Sequence, residues 1–538
     1  MLSRHQPLLL FLCIFGLGLG LFTRHNDFPC YYHPDEFGKA KQLVKGTRNF
    51  HHPMLMLTTA DWTRKLALGK EGRRDYQAVT VTGRWVTAGF AALGAAALAL
   101  LAARQYHLLA GWLVGVLTVS NSLIFELAHY FKEDPYLTSG IALTALALHV
   151  FQRKPDTKRL CLLAAATSLA AAGKFIGIAL LPMVLVAVWF IAGPADPRRR
   201  KVGLGYFLLV FALVWAAFNY QVFKPDSKMW SSIGEEMDKA YGNEILNQRN
   251  SFGFYVNVQD QNGGWLPPIL TGLWLLWAVT HPRRVPAAEW VLAGTSILYF
   301  TIFSLTPKDS TRYYLPITAS LCYFSVAGIM AWAGEVRRGS VQWAAAAVVA
   351  VGVWLQYPSL VREWKGFIQD DRAAMEQWIR QNLPANAYIA QDKTANLPEL
   401  DRQASKHAGR QALPQRVVGG DDTLADIGDL AELRAMGITH AAICYNTYAR
   451  YVGADGKEVF IRPGTPAAAI QQVYQAVLPP NGTEVWSMAR GANGYLQPGL
   501  KLIDISGIPA PEKPDDQPGE SHTPPASKPA PGSPDGQE

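Results

Sequence analysis

Apolar residues run in long unbroken stretches through roughly the first two thirds of the chain, and in short mixed patterns after that. Stretches of about 17–25 apolar residues are long enough for a helix to cross the hydrocarbon of a bilayer. A soluble core does not need so many of them. They predict spans at about 8–22, 80–103, 108–128, 136–151, 160–173, 175–192, 203–223, 265–280, 289–306, 313–333 and 341–358, eleven in all. The stretch 160–192 reads either as one long tilted helix or as two short ones turning at Gly173-Lys174.

From about Arg362 the pattern is that of a soluble domain. Residues 372–382 form an amphipathic repeat carrying Met375, Trp378 and Ile379, and 387–390 reads as a short strand. A helix is expected over 424–436, capped by Gly437, followed by a strand over 439–445. Alternating helices and strands indicate a small α/β domain. The expected division is a membrane domain over 1–358, an α/β domain over 359–505 and a disordered tail over 506–538, rich in Pro, Ser, Gly and Asp.

Charge changes the picture by sidedness. The net charge of +8 comes with short basic clusters between apolar runs: Arg153-Lys154 with Lys158-Arg159, Arg198-Arg199-Arg200-Lys201, Arg283-Arg284 and Arg337-Arg338. Short cytoplasmic loops are enriched in Lys and Arg in this way, and the pattern argues against a nucleic-acid partner. With the N-terminus cytoplasmic and 160–192 counted as two spans, every cluster falls on the cytoplasmic side. The α/β domain then lies outside an inner or plasma membrane. Thr23-Arg24-His25-Asn26 follows the first apolar run where a small-residue cleavage site would stand, so the first span is read as uncleaved. The five cysteines are far apart and form neither a disulfide framework nor a zinc spacing.

This topology places the segments 23–79, 224–264 and 307–312 and a turn around 132–135 outside. Residues 36–44 have helical character, and the apolar stretch after His51-His52-Pro53 suits the bilayer surface. Asp35 and Glu36 follow the first span closely. A carboxylate there can take the proton of an attacking hydroxyl that comes within hydrogen-bond reach, or it can be a loop charge or helix cap. If the third span continues to Lys132, then Glu126, His129 and Glu133 share one helical face. Such groups serve a site or sit at the interface as helix-end charges. His129 with Asp134 or Asp35 offers a divalent-metal reading, but no compact ligand spacing supports it, and no metal or other cofactor is expected. Lys174 interrupts an apolar stretch, which is costly unless it is paired. Lys308 and Arg312 stand just before Tyr313. Two or three cations at the outer end of a bundle suit a phosphate, Arg by bidentate contact and Lys as a point charge. Gly16, Gly18 and Gly20 lie inside a span with no strand before them, so helix packing is the reading rather than a nucleotide loop.

The arrangement resembles the GT-C superfamily of membrane glycosyltransferases, in particular the branch of protein O-mannosyltransferases and lipid A aminoarabinose transferases. The residues that carry the resemblance are His33-Pro34-Asp35-Glu36 in an acidic first external loop, His51-His52-Pro53, Arg84 opening the second span, His129 with Asp134-Pro135, Gly173-Lys174-Phe175, and Arg312-Tyr313 running into Pro316. They cover roughly residues 8–335. The resemblance implies a GT-C-like polytopic helical fold and a polyprenyl-phosphate-linked sugar as donor. It also implies inversion at the anomeric carbon and a hydroxyl acceptor on an envelope glycolipid, glycan or protein. By it, Asp35 is the base, with Glu36 beside it. Lys174, Lys308 and Arg312 hold the donor phosphate, and His33, His52, Arg84, His129, Asp134 and Tyr313 complete the substrate site. Two other classes remain: a transporter or flippase for a lipid-linked anion, and a non-catalytic envelope assembly subunit. Against the first, the halves show no repeat and the charges gather at one face.

Overall fold

The computed structural model describes residues 5–191, 197–224, 229–241, 251–306, 310–333, 338–398, 412–453, 459–491 and 494–509. Among them, five helices are long and apolar enough to cross a membrane: Tyr76–Gln105, Arg200–Phe218, Ala287–Leu305, Thr311–Ala333 and Trp343–Ile368. The bent pair Leu108–Val119 and Ser122–Ala128 makes a sixth candidate, and Gln6–Phe22, Phe175–Ile191 and Leu266–Thr280 are shorter apolar helices. The protein is a multi-pass helical membrane protein with a small C-terminal sheet.

Small residues let these helices approach closely where no hydrophobic force drives them together. A Cβ on Gly140 would lie 2.4 Å from the backbone nitrogen of Ala170, so the helices Asp134–Arg153 and Thr157–Gly173 touch backbone to backbone. Gly18 meets Ala92, whereas Gly16 and Gly20 have nothing close, so helix packing accounts for one of the three.

Several boundaries differ from those expected. The third span does not run to Lys132, because its helix breaks at Ser120 and the next piece is bent by 63°. Asn121 starts that piece, accepting from the N–H groups of Leu123 and Ile124 at 3.1 and 3.2 Å. That helix ends at Ala128, so Glu126, His129 and Glu133 do not form one face. The second span begins at Tyr76, which puts Arg84 two turns inside it rather than at its opening. The last span runs through Pro358 to Ile368, carrying Phe367 onto the ring of His129 at 4.2 Å. The stretch 160–192 does break at Lys174, whose extended backbone (φ −155°, ψ 141°) separates the helix Thr157–Gly173 from a 3-10 turn.

The C-terminal domain is a five-stranded mixed sheet: β1 Tyr388–Gln391, β2 Arg416–Gly419, β3 His440–Cys444, β4 Thr483–Met488 and β5 Leu500–Asp504. The order is β2-β1-β3-β5-β4. β1 runs parallel to β2 and β3, and β5 antiparallel to β3 and β4. Side chains alternate across it. Ile389 and Ala442 join Met375 and Ile379 of the helix Asp371–Asn382 on one face. Ala390, Ala441 and Ile443 join Leu433, Val473 and Tyr474 on the other. The helix expected over 424–436 is two pieces, Leu424–Asp426 and Leu430–Ala435, because Asp429 and Glu432 form a capping box that starts the second. The tail from residue 510, and Lys308, lie outside the described residues.

Candidate active site

The site is built on the helix Pro34–Lys45, which follows the first span. His33 caps it, its Nδ1 accepting the Asp35 N–H at 3.2 Å, and Pro34 occupies the first helical position. Asp35 and Glu36 therefore sit in the first turn, where the helix dipole favours negative charge. Gly46 ends the helix in the left-handed region (φ 72°).

The two adjacent carboxylates have different surroundings. Glu36 is fully buried. Arg84 donates to it from Nε at 3.0 Å and Nη2 at 2.6 Å, and the Phe131 N–H donates at 2.6 Å. Arg84 also donates to the carbonyls of Asn26 and Phe28, and its guanidinium lies 3.4 Å from the centre of the Phe28 ring. Arg84 is thus fully buried and sews the first loop to the second long helix, behind the site rather than in it. Asp35, by contrast, keeps 44% of its side chain exposed. Its Oδ2 takes an ion pair from Lys132 and another from Arg312 Nη1 at 3.2 Å.

The turn at residues 129–133 closes the site from the side. Lys39 donates to Glu133 Oε2 at 2.7 Å and to the Phe131 carbonyl at 3.0 Å. His52 Nε2 lies 3.0 Å from Glu133 Oε1. Burial would push the Glu133 carboxyl up, but His52, Lys39 and Lys132 outweigh it and hold it well below the usual range. His129 is buried below, each ring nitrogen against a carbonyl oxygen: Phe125 at 2.6 Å and Arg24 at 3.0 Å. That geometry leaves no ring nitrogen to ligate a metal, and the described residues hold no cluster of three His, Cys, Asp or Glu that could bind one. Lys174 is satisfied by Asp134 at 2.6 Å, and its ammonium sits 4.4 Å from the centre of the Tyr313 ring. Among the described residues, Asp134 Oδ2, Arg312 Nε and His33 Nε2 are buried polar atoms without a hydrogen-bond partner. Such orphans are costly in a native structure.

The structure therefore gathers His33, Asp35, His52, Asp134, Lys174, Arg312 and Tyr313 at one end of the bundle. It sets Glu36, Arg84 and His129 behind them as support. Sequence reasoning placed Lys132 in the cluster with Glu133 and Asp134 but gave it no role, and it missed Lys39, whose only signal was its charge on the segment after the first span.

Burial would raise the Asp35 carboxyl, but Lys132 first, then His33, Lys39 and Arg312, outweigh it and hold it well below the usual carboxylate range. Asp35 is therefore ionised through neutral and mildly acidic pH. The stability its pairs contribute is present above the unfolded carboxylate pKa of about 4 and is lost as pH falls through the depressed folded value. In a Lys132→Gln protein the acid limb of any Asp35-dependent activity is expected to move up toward pH 4, while the wild type stays flat there. A pH–rate profile of both proteins checks this, and identical acid limbs would remove Lys132 as the controlling charge.

A bundle of apolar helices, an acidic helix after the first of them, cations converging on it and an α/β domain make up a fold with likenesses among solved structures. Solved structures make the likeness particular. ArnT from Cupriavidus metallidurans, bound to undecaprenyl phosphate, aligns with a TM-score of 0.52 and 17% identity, over 94% of this chain and 98% of that one. Its apo form aligns with a TM-score of 0.50 and 16% identity, over 92% of this chain and 97% of that one. The apo oligosaccharyltransferase of Archaeoglobus fulgidus gives a TM-score of 0.53 and 9% identity, over 91% of this chain and 80% of that one. All are GT-C proteins, and the chain has their fold. No protein-family model and no curated protein matches it.

Proposed function

We propose that the protein is a glycosyltransferase that moves a sugar from a polyprenyl-phosphate donor to a hydroxyl of an envelope glycolipid, glycan or protein. The observation that carries this reading is Asp35: a half-exposed carboxylate, held ionised, with Lys132 and Arg312 on the same oxygen. Asp35 takes the proton of the acceptor hydroxyl, and the hydroxyl oxygen bonds to the anomeric carbon from the face opposite the phosphate. The carbon–oxygen bond to the phosphate breaks, and polyprenyl phosphate leaves with the electron pair, so the configuration inverts. Lys132, Arg312 and Lys174, with Lys308 from the same external segment as Arg312, balance the phosphate charge. His52, Asp134 and Tyr313 border the donor. Glu36, Arg84, His33 and His129 hold the loop that carries the base. The fold shared with ArnT, whose structure holds undecaprenyl phosphate, supports a polyprenyl phosphate as sugar carrier. Read with eleven spans and a cytoplasmic N-terminus, as the charge pattern suggests, the α/β domain is external and this chemistry belongs on the outer face of the membrane.

The test is transfer by purified protein in proteoliposomes supplied with labelled polyprenyl-phosphate sugars and an envelope extract. The expected result is label moving from the donor lipid into one acceptor fraction, which also names the acceptor class. Donor lipid that changes leaflet without losing its sugar would instead mark a transporter.

A further inference from the structure

The C-terminal domain reaches back to the membrane domain beside the base. The loop between β4 and β5 carries Tyr495, whose ring lies 4.1 Å from that of His33 at an angle of 38°. The same ring stands 5.4 Å from Tyr130, nearly edge-on at 79°. Tyr130 lies 4.9 Å from His33. The His33 imidazole, fully buried, is thus packed by Tyr130 from the membrane domain and by Tyr495 from the soluble one. Its Nδ1 takes the N–H of Asp35. One side chain therefore separates the C-terminal domain from the backbone that carries the carboxylate.

The Tyr495 loop is itself fixed. Its carbonyl accepts from Arg372 Nη1 at 2.9 Å, and Arg372 Nε donates to the Thr394 carbonyl at 3.0 Å. The Arg372 guanidinium lies 4.3 Å from the centre of the Tyr32 ring, and the Tyr32 hydroxyl donates to Asp370. Asn446 Nδ2 donates to the Gly494 carbonyl, and Gln497 Nε2 to Gln369 Oε1 at 3.3 Å. Thr394 follows β1 and Asn446 follows β3, so these anchors stand at the carboxyl ends of the two central parallel strands. In open α/β sheets that is the edge where ligands bind. Here the edge is turned onto Tyr32 and His33.

We infer that Tyr495 is a positioning residue of the active centre: its ring fixes His33, and His33 fixes the backbone from which Asp35 projects. The C-terminal domain is then a built-in wall of the centre rather than a separate acceptor-binding appendage. This rests on the reading of Asp35 as the base. Burial pushes the Tyr495 phenol up to about 12, so it stays uncharged beside the carboxylate. Removing the ring opens a gap against a buried imidazole, admits water and loosens the helix cap. A displacement of about 1 Å at a catalytic group costs on the order of 100-fold in rate.

The experiment uses the full chain in lipid nanodiscs with Tyr495→Ala, Tyr495→Leu and Tyr495→Phe, read by amide hydrogen exchange over residues 33–45 and by kcat and donor KM. In Tyr495→Ala, exchange at the start of the helix is expected to quicken about fivefold, the usual worth of a lost cap. Its kcat is expected to fall about 10- to 100-fold with donor KM unchanged. Tyr495→Leu, which fills the volume and guards against an Ala variant that does not fold, is expected to fall between Ala and wild type. Tyr495→Phe keeps the ring and restores both readouts. Wild-type exchange and kcat in both Ala and Leu overturn the inference. A kcat loss that Phe does not restore also overturns it, by showing that the hydroxyl acts itself. Quickened exchange in a protein whose wild type transfers no sugar leaves the positional link standing and sinks the glycosyltransferase reading instead.

Discussion

Asp35→Asn protein is expected to reach the membrane at the wild-type level and to transfer sugar about a thousandfold more slowly, the middle of the range for loss of a general base. The substitution keeps the size of the side chain and its place in the first helical turn, and its surroundings are not a sealed core: 44% of the Asp35 side chain is exposed. The fold loses the pairs with Lys132 and Arg312, but Lys132 keeps Glu133 as a nearby counter-charge. What is lost is the acceptor for the hydroxyl proton, together with the counter-charge for Lys132 and Arg312. Those two cations remain to hold a phosphate, so the donor KM is expected to stay level or fall while kcat collapses. Transfer kinetics at saturating donor, with protein quantified in the same membranes, check this. Equal rates in the two proteins would remove Asp35 as the base. A collapse in protein level instead of rate would make Asp35 structural.

The neighbouring carboxylate gives the second large effect, and it is one of stability. Arg84→Ala leaves Glu36 buried with the Phe131 N–H as its remaining donor from the clamp. Breaking a buried pair from one side costs about 3–5 kcal/mol, because the surviving charge has nowhere to go. The double variant Arg84→Met with Glu36→Gln is expected to recover most of that loss, since neither partner is then charged. Thermal unfolding in detergent, with the two single variants and the double, measures it. An Arg84→Ala protein within about 0.5 kcal/mol of wild type, the range of ordinary surface changes, would mean that the pair does not hold the loop. Asp35 and Glu36 thus separate by experiment: one change stops transfer in a stable protein, the other destabilises the protein.

The membrane character was legible in the sequence because span length and apolar content are local properties. So was the break before Lys174, where Gly173 precedes a charge that cannot sit in hydrocarbon unpaired. The bend at Asn121 was written as a helix-start signal inside an apolar run, and hydropathy alone passes over it. Asp35 stood out by its place after the first span. Its surroundings did not, because they depend on which distant charges meet. Lys39 and Glu133 are 94 residues apart, and Lys132 and Asp35 are 97 apart. Nothing local told Glu36 from Asp35, although the fold buries one behind Arg84 and opens the other. Tyr495 was the least legible, a single aromatic in a loop whose meaning comes only from the docking of two domains.

Those long separations bear on how the chain is made. Asp35, Glu36 and Lys39 leave the ribosome well before Arg84, Lys132 and Glu133. A charge buried without its partner costs several kcal/mol, so the first loop has to stay hydrated until the turn after Ala128 arrives. Arg84 comes first and can gather the loop carbonyls at once. The turn then supplies Lys132 to one carboxylate and the Phe131 N–H to the other. Arg312 and Tyr495, made last, complete the surroundings of Asp35 and His33, so the loop behind the first span is closed from the middle of the chain and finished from its end.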